Sequence, residues 1–171
     1  MAISKIVTNS VDSGVTLTSP TITGATITVA STAAPCFSAW ASGTTSMLNA
    51  TATKILFATE EFDTNSNFAS SRFTPTVAGY YQINASARIN MNGAAEIQCS
   101  LYKNGAEYKR GFDLLGVTFA GGFAHCNVNT IVYMNGTTDY IEYYAFQNSG
   151  ITQTAGGNNL TWFNGAMIRS A

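Results

Sequence analysis

The sequence predicts an all-β protein: an antiparallel sandwich with the strand number of a jelly roll, preceded by an extended N-terminal arm. Three observations predict it. From Pro35 onward, apolar and polar residues alternate in short runs separated by turn signals, at the spacing of a sandwich or barrel. No segment sustains a helical period. Asn104-Gly105 and Asn135-Gly136 supply the positive φ that tight turns between strands require. The chain has 171 residues, enough for one domain with a core plus an appendage. The division is therefore an arm over residues 1–34 and a sandwich over 35–171.

The arm carries "TLTSPTITGATIT", three copies of Thr-apolar-Thr spaced five residues apart. Strand faces alternate with period two, so Leu17, Ile22 and Ile27 share a side only if the chain bends at Ser19-Pro20 and Gly24-Ala25. In either case they need a neighbour to cover them. In the sandwich, "GYYQINASARI" places Tyr81, Ile83, Ala85, Ala87 and Ile89 on one face, which should point inward, and Tyr80, Gln82, Asn84, Ser86 and Arg88 on the other. "EIQCSLYKNGAEYKRG" reads as a hairpin about Asn104-Gly105. "NTIVYMNGTTDYIEYYAFQ" repeats that logic. Its second strand alternates Ile141, Tyr143 and Ala145 with Tyr140, Glu142 and Tyr144, so both faces are apolar or aromatic. Such a strand is either central in a sandwich or lies against another subunit. Gly121-Gly122 and Gly156-Gly157-Asn158-Asn159 mark two further loops. "LTWFNGAMI" closes the chain as a last strand, giving eight to ten in all.

Composition narrows function. Hydrophobic residues make up 46% and charged residues only 10%, against roughly a quarter in ordinary soluble proteins. A net charge of -1 offers no basic field for phosphates or anionic lipid, so nucleic acid is not expected as a partner. No uninterrupted apolar run approaches the length needed to cross a bilayer, so membrane insertion is not expected either. "MAISKIVTNS" lacks the apolar core of a secretory signal, which leads to the expectation of a soluble chain made in the cytoplasm. On that expectation the sequons at Asn49, Asn84, Asn135 and Asn159 are discounted. Cys36, Cys99 and Cys126 are odd in number and widely spaced, unlike the paired, closely spaced ligands of a disulfide framework or a zinc site, and read as free buried thiols.

No chemistry-bearing constellation stands out, and no cofactor is called for. His125, the one histidine, adjoins Cys126, and strand neighbours point to opposite faces, which denies a Cys-His nucleophilic pair. Glu60, Glu61 and Asp63 could offer calcium oxygen ligands, but Phe62 interrupts them and a solvated loop is the expectation. Glu96, Glu107, Asp113, Asp139 and Glu142 show no motif that would pair them for glycoside hydrolysis. Lys103, Lys109 and Arg110 read as a solvated turn. The aromatics Tyr102, Tyr108, Phe112, Phe119 and Phe123 either pack in the core or a subunit seam, or, if they lie in exposed loops, stack on the rings of a glycan.

One family brings these readings together. "FSAW", "KILFATEEFDTNSNF", "RFTPTVAGYYQINASARI", "CSLYKNG", "TDYIEYYAF" and "FNGAMI" follow one another as in the complement q-subunit globular head, a tumour necrosis factor-like jelly roll, which residues 35–171 resemble. The sharpest element is Phe73 to Tyr81, where Gly79, having no Cβ, would let the chain turn tightly into the strand. The resemblance implies a homotrimer with Phe73, Gly79, Tyr81, Tyr143 and Phe163 in the core or the three-fold contact. The chain departs from the family in lacking a collagen-like stalk. Thr-rich lead-ins such as this arm resemble those of tailed-bacteriophage proteins. The implied function is a non-enzymatic virion structural protein at the particle surface, a capsid decoration or short head fibre. Its arm, through Leu17, Ile22 and Ile27, would hold a capsid or tail protein. The alternative is a tail-fibre tip recognising host surface glycan through Tyr102, Tyr108 and Phe112.

Overall fold

The computed structural model describes residues 34–171; Leu17, Ile22 and Ile27 of the arm lie outside them. Among the described residues there are nine strands and no helix: β1 (Cys36–Met47), β2 (Thr53–Lys54), β3 (Thr59–Asp63), β4 (Phe68–Ala69), β5 (Arg72–Phe73), β6 (Gly79–Lys103), β7 (Ala106–Met134), β8 (Ile141–Gln147) and β9 (Gln153–Ser170). Every pairing is antiparallel.

Two long strands generate the sandwich. β6 has 25 residues and β7 has 29, several times the usual strand length, because each runs through both sheets. The first half of β6 lies between β9 and the second half of β7, whereas its second half lies between β8 and the first half of β7. The first sheet is thus β3-β1-β9-β6-β7, and the second is β4-β5-β8-β6-β7 with β2 also on β8. The bend on β6 coincides with register shifts at Met91/Gly93 and Ala95/Ile97, and Gly93 takes φ +93°. An extra residue in left-handed backbone turns a strand without ending its ladder.

That device corrects two expected loops. Gly121-Gly122 lies inside β7, where Gly122 pairs with Met91, and Gly156 to Asn159 lies inside β9, where Gly156 pairs with Thr44. The glycines kink a ladder that the flanking hydrogen bonds keep continuous. Gly79 needs a different explanation from the one the sequence offered. A Cβ there would run into the Arg169 carbonyl oxygen, with Met167 Sδ at 3.1 Å, so close approach of β9, and not the turn, demands glycine.

The core sits between the sheets. Tyr81, Ile83, Ala85, Ala87 and Ile89 are all 0% exposed, so the period-two pattern of β6 is realised in full. Phe37 stacks on Phe73 with ring centroids 4.4 Å apart, on Phe68 at 4.8 Å, and meets the edge of Phe163 at 4.9 Å. Each such burial stabilises by about 1.5–3 kcal/mol. Buried hydrogen bonds also span the two sheets: the Tyr143 hydroxyl on β8 donates to the Cys126 carbonyl on β7 at 2.7 Å, and Gln147 Nε2 on β8 donates to the Met47 carbonyl on β1 at 3.2 Å.

Candidate functional site: two exposed sheet faces

The residues that alternate with the core project from the outer faces of the two sheets. On the first sheet the outward row of β6 begins with Tyr80, that of β7 ends with Ile131 and Tyr133, and that of β9 ends with Ile168. These four meet at one end of the face. Ile131 and Ile168 are 52% and 54% exposed, and a recess of about 520 Å3 opens among Tyr80, Ile131, Ile168 and Arg169. The Tyr80 and Tyr133 rings lie 5.5 Å apart. Beside this patch runs a side-chain amide ladder, in which Gln82 Nε2 donates to Asn84 Oδ1 at 2.9 Å and Asn84 Nδ2 donates to Asn164 Oδ1 at 3.0 Å. Further across, Trp40 of β1 pairs in register with Trp162 of β9 beside a recess of about 480 Å3. The guanidinium of Arg88 lies 3.3 Å from the ring centre of the half-exposed Phe123. The face is therefore apolar, aromatic and amide-rich, with few charges.

The second sheet's outer face has another character. Glu142 is 2% exposed although it points away from the core, because Lys54 and Arg72 cover it. Lys54 Nζ lies 3.0 Å and Arg72 Nε 2.8 Å from its Oε1. Burial alone would raise the Glu142 carboxyl, but Arg72 and Lys54 outweigh it and hold the group below the usual carboxylate range. Arg72 also lies over the Tyr140 ring at 3.9 Å. Tyr144 stacks on Tyr102 of β6 with centroids 4.1 Å apart. The face of β8 that the sequence reading assigned to a sheet interior or another subunit is thus half covered within the chain, by two cations and a tyrosine. Beyond it, Glu107 accepts from Arg110 Nε at 2.8 Å and from Ser100 Oγ at 2.7 Å, and Arg110 first and Ser100 second lower its carboxyl.

The sequence-selected residues fall as follows. Phe73, Tyr81, Tyr143 and Phe163 are all 0% exposed, inside the sandwich. Tyr102, Tyr108 and Phe112 sit on β6 and β7 and not in loops, because the turn uses only Asn104-Gly105 and the ladder resumes at once with Lys103 opposite Ala106. Tyr102 is half-buried, Tyr108 exposed, and Phe112 packs against the core. Asp139 ties two turns together: its carboxylate meets Lys103 Nζ at 2.8 Å and accepts from Asn104 Nδ2 at 2.7 Å and the Asn135 amide at 3.0 Å. Glu61 accepts from Ser38 Oγ at 2.6 Å, and Asp63 accepts from the Phe68 amide at 2.7 Å. Among the described residues, no three His, Cys, Asp or Glu side chains gather to hold a metal. His125 is exposed and Cys126 buried. Sequence reasoning missed Ile131, Tyr133, Trp40 and Trp162. The alternation of "NTIVYM", read on both of its faces, would have flagged the first two.

No family model matches the chain, and no curated protein does. Solved structures do. The globular domain of zebrafish complement 1qA superposes with a TM-score of 0.59 at 16% identity, covering 81% of this chain and 99% of that one. Murine APRIL gives 0.56 at 9% identity, over 79% of this chain and 99% of that one. Eiger TNF from S. frugiperda gives 0.50 at 8% identity, over 81% and 93%. Residues 34–171 have the antiparallel jelly-roll fold that these complement and tumour necrosis factor-like domains share.

Proposed function

We propose that the chain is a non-enzymatic structural or binding protein that assembles as a homotrimer through the outer face of its first sheet. The observation that carries this reading is the cluster of Tyr80, Ile131, Tyr133 and Ile168, large apolar side chains left open beside an amide ladder. Exposed apolar groups scattered singly need no explanation, whereas a contiguous cluster on a flat sheet marks an interface. Amides that already bond along the sheet can also bond across it, which gives register without charge. A cyclic assembly presents the same patch three times around one axis.

With the Thr-rich arm, the reading extends to a virion: a trimer displayed on a phage-like particle as capsid decoration or short head fibre, with residues 1–34 engaging a capsid or tail protein. Sedimentation velocity of the full chain tests the trimer. Localisation in purified particles by cryo-electron microscopy tests the role, since decoration requires copies seated on the capsid lattice. A second reading, glycan recognition at a tail-fibre tip, is favoured by the Tyr102–Tyr144 stack on the second sheet, which presents aromatic surface away from the proposed trimer face.

A further inference from the structure

The chain holds eight Lys and Arg residues, and two of them converge on one carboxylate. Lys54 and Arg72 share Glu142 Oε1, so the cluster retains one positive charge. It borders a recess of about 440 Å3 lined by Lys54, Ser66, Asn67, Ser70, Arg72 and Thr76. The cations are held in place. The Ser70 carbonyl accepts from Lys54 Nζ at 3.0 Å, and Tyr140 backs the Arg72 guanidinium at 3.9 Å. Glu142 engages only Nε of Arg72, and among the described residues its two terminal nitrogens have no acceptor.

The loop that shapes the recess is unusual. Ser66, Ser70 and Ser71 take φ +53°, +51° and +58°, three of the five non-glycine residues in left-handed backbone among the described residues. Ser70-Ser71 is the two-residue turn between β4 and β5, a place where Asn-Gly would be relaxed. Ser71 is kept there by its hydroxyl, which accepts from the buried Phe57 amide at 2.8 Å. Among the described residues Ser70 has no such bond through its side chain, and it contributes the carbonyl that fixes Lys54. Backbone held in sparsely populated regions collects at ligand sites.

We propose that this recess binds the carboxylate of an acidic sugar, with the neighbouring ring of the glycan against Tyr144 and Tyr102. A guanidinium with two free coplanar nitrogens matches a carboxylate in bidentate fashion. One surplus positive charge suits a monoanion better than a doubly charged phosphate. Of the remaining lining, the hydroxyls of Ser66, Ser70, Thr74 and Thr76 match a polyol, while the buried Asn67 amide is engaged by Asn65 and Thr76 and shapes the floor. Tyr144 connects the recess to the aromatic stack, since its hydroxyl donates to Glu142 Oε2 at 3.4 Å. The inference rests on the glycan recognition of the second reading above, and it is independent of trimer formation.

The test titrates the full chain with sialyllactose, glucuronic acid, lactose and a glutamate-rich peptide, followed by NMR or calorimetry. Both acidic sugars should bind at least about tenfold more tightly than lactose, and Arg72→Gln should remove that advantage, about 1.4 kcal/mol. Glu142→Gln removes the internal competitor and should raise acidic-sugar affinity. Lys54→Gln, at a more exposed position, checks the charge requirement if Glu142→Gln does not fold. Lactose binding as well as sialyllactose, or an unchanged affinity in Arg72→Gln, overturns the acid pocket while leaving glycan recognition standing. Binding of no sugar overturns both, and tighter binding of the peptide overturns the sugar assignment.

Discussion

Replacing Ile131 with Asp probes the first-sheet face without touching the core. Ile131 is 52% exposed, so about half of its side chain remains to be covered by a partner. Full burial of such a side chain is worth about 1.5–3 kcal/mol, and half of that is about 1 kcal/mol per chain. A carboxylate in its place must also be desolvated against an apolar surface, costing about 2 kcal/mol or more. Around a three-fold axis both contributions occur three times, about 9 kcal/mol in all, so the association constant should fall roughly a million-fold. Folding should change little, by about 0.5 kcal/mol, because the position is on the surface of the lone chain. Sedimentation velocity across a concentration series reads the first effect, and thermal melting of the dissociated chain reads the second. A variant that sediments as the parent does would refute the assignment of this face.

Three further outcomes follow from the sandwich itself. Tyr143→Phe should destabilise the domain by about 1–2 kcal/mol by leaving the Cys126 carbonyl without its partner across the sheets, seen as a lower melting temperature with unchanged circular dichroism. Gly136→Ala should cost more, because Gly136 takes φ +72° and a Cβ there would run into the Ala78 amide nitrogen; an unchanged urea midpoint would contradict this. Burial would raise the Glu142 and Asp139 carboxyls, but both are held below their ordinary values, Glu142 by Arg72 and Lys54 and Asp139 by Lys103, Asn104 and the Asn135 amide. Their contribution is therefore complete above the ordinary carboxylate range and is lost as pH falls through the depressed values. Melting temperature should drop in acid, and Glu142→Gln should flatten that limb; a pH-independent parent would contradict it.

The strands whose faces differ were legible from alternation alone. Tyr81 to Ile89 on β6 show this best, since a register slip of one residue would expose the whole apolar row. The glycine-marked ends were not legible. At Gly121 and Gly156 the sequence signal for a turn and for a kinked but continuous strand is the same residue, and only the pairing partner, β6 or β1, decides between them. The exposed faces were half legible. Tyr140, Glu142 and Tyr144 were seen to need cover, but Lys54 and Arg72, which come from 88 and 70 residues away, could not be assigned to Glu142 before the fold brought them together. Tyr102 drew notice as an aromatic flanking a turn. Its stacking partner, Tyr144, was visible only as part of another strand.

Native mass spectrometry of the full chain at tens of micromolar tests the central claim most directly. The expected result is a dominant species of three 18.1 kDa chains that the Ile131→Asp substitution converts to one. A parent chain that remains monomeric at that concentration would contradict the proposed assembly through the first sheet.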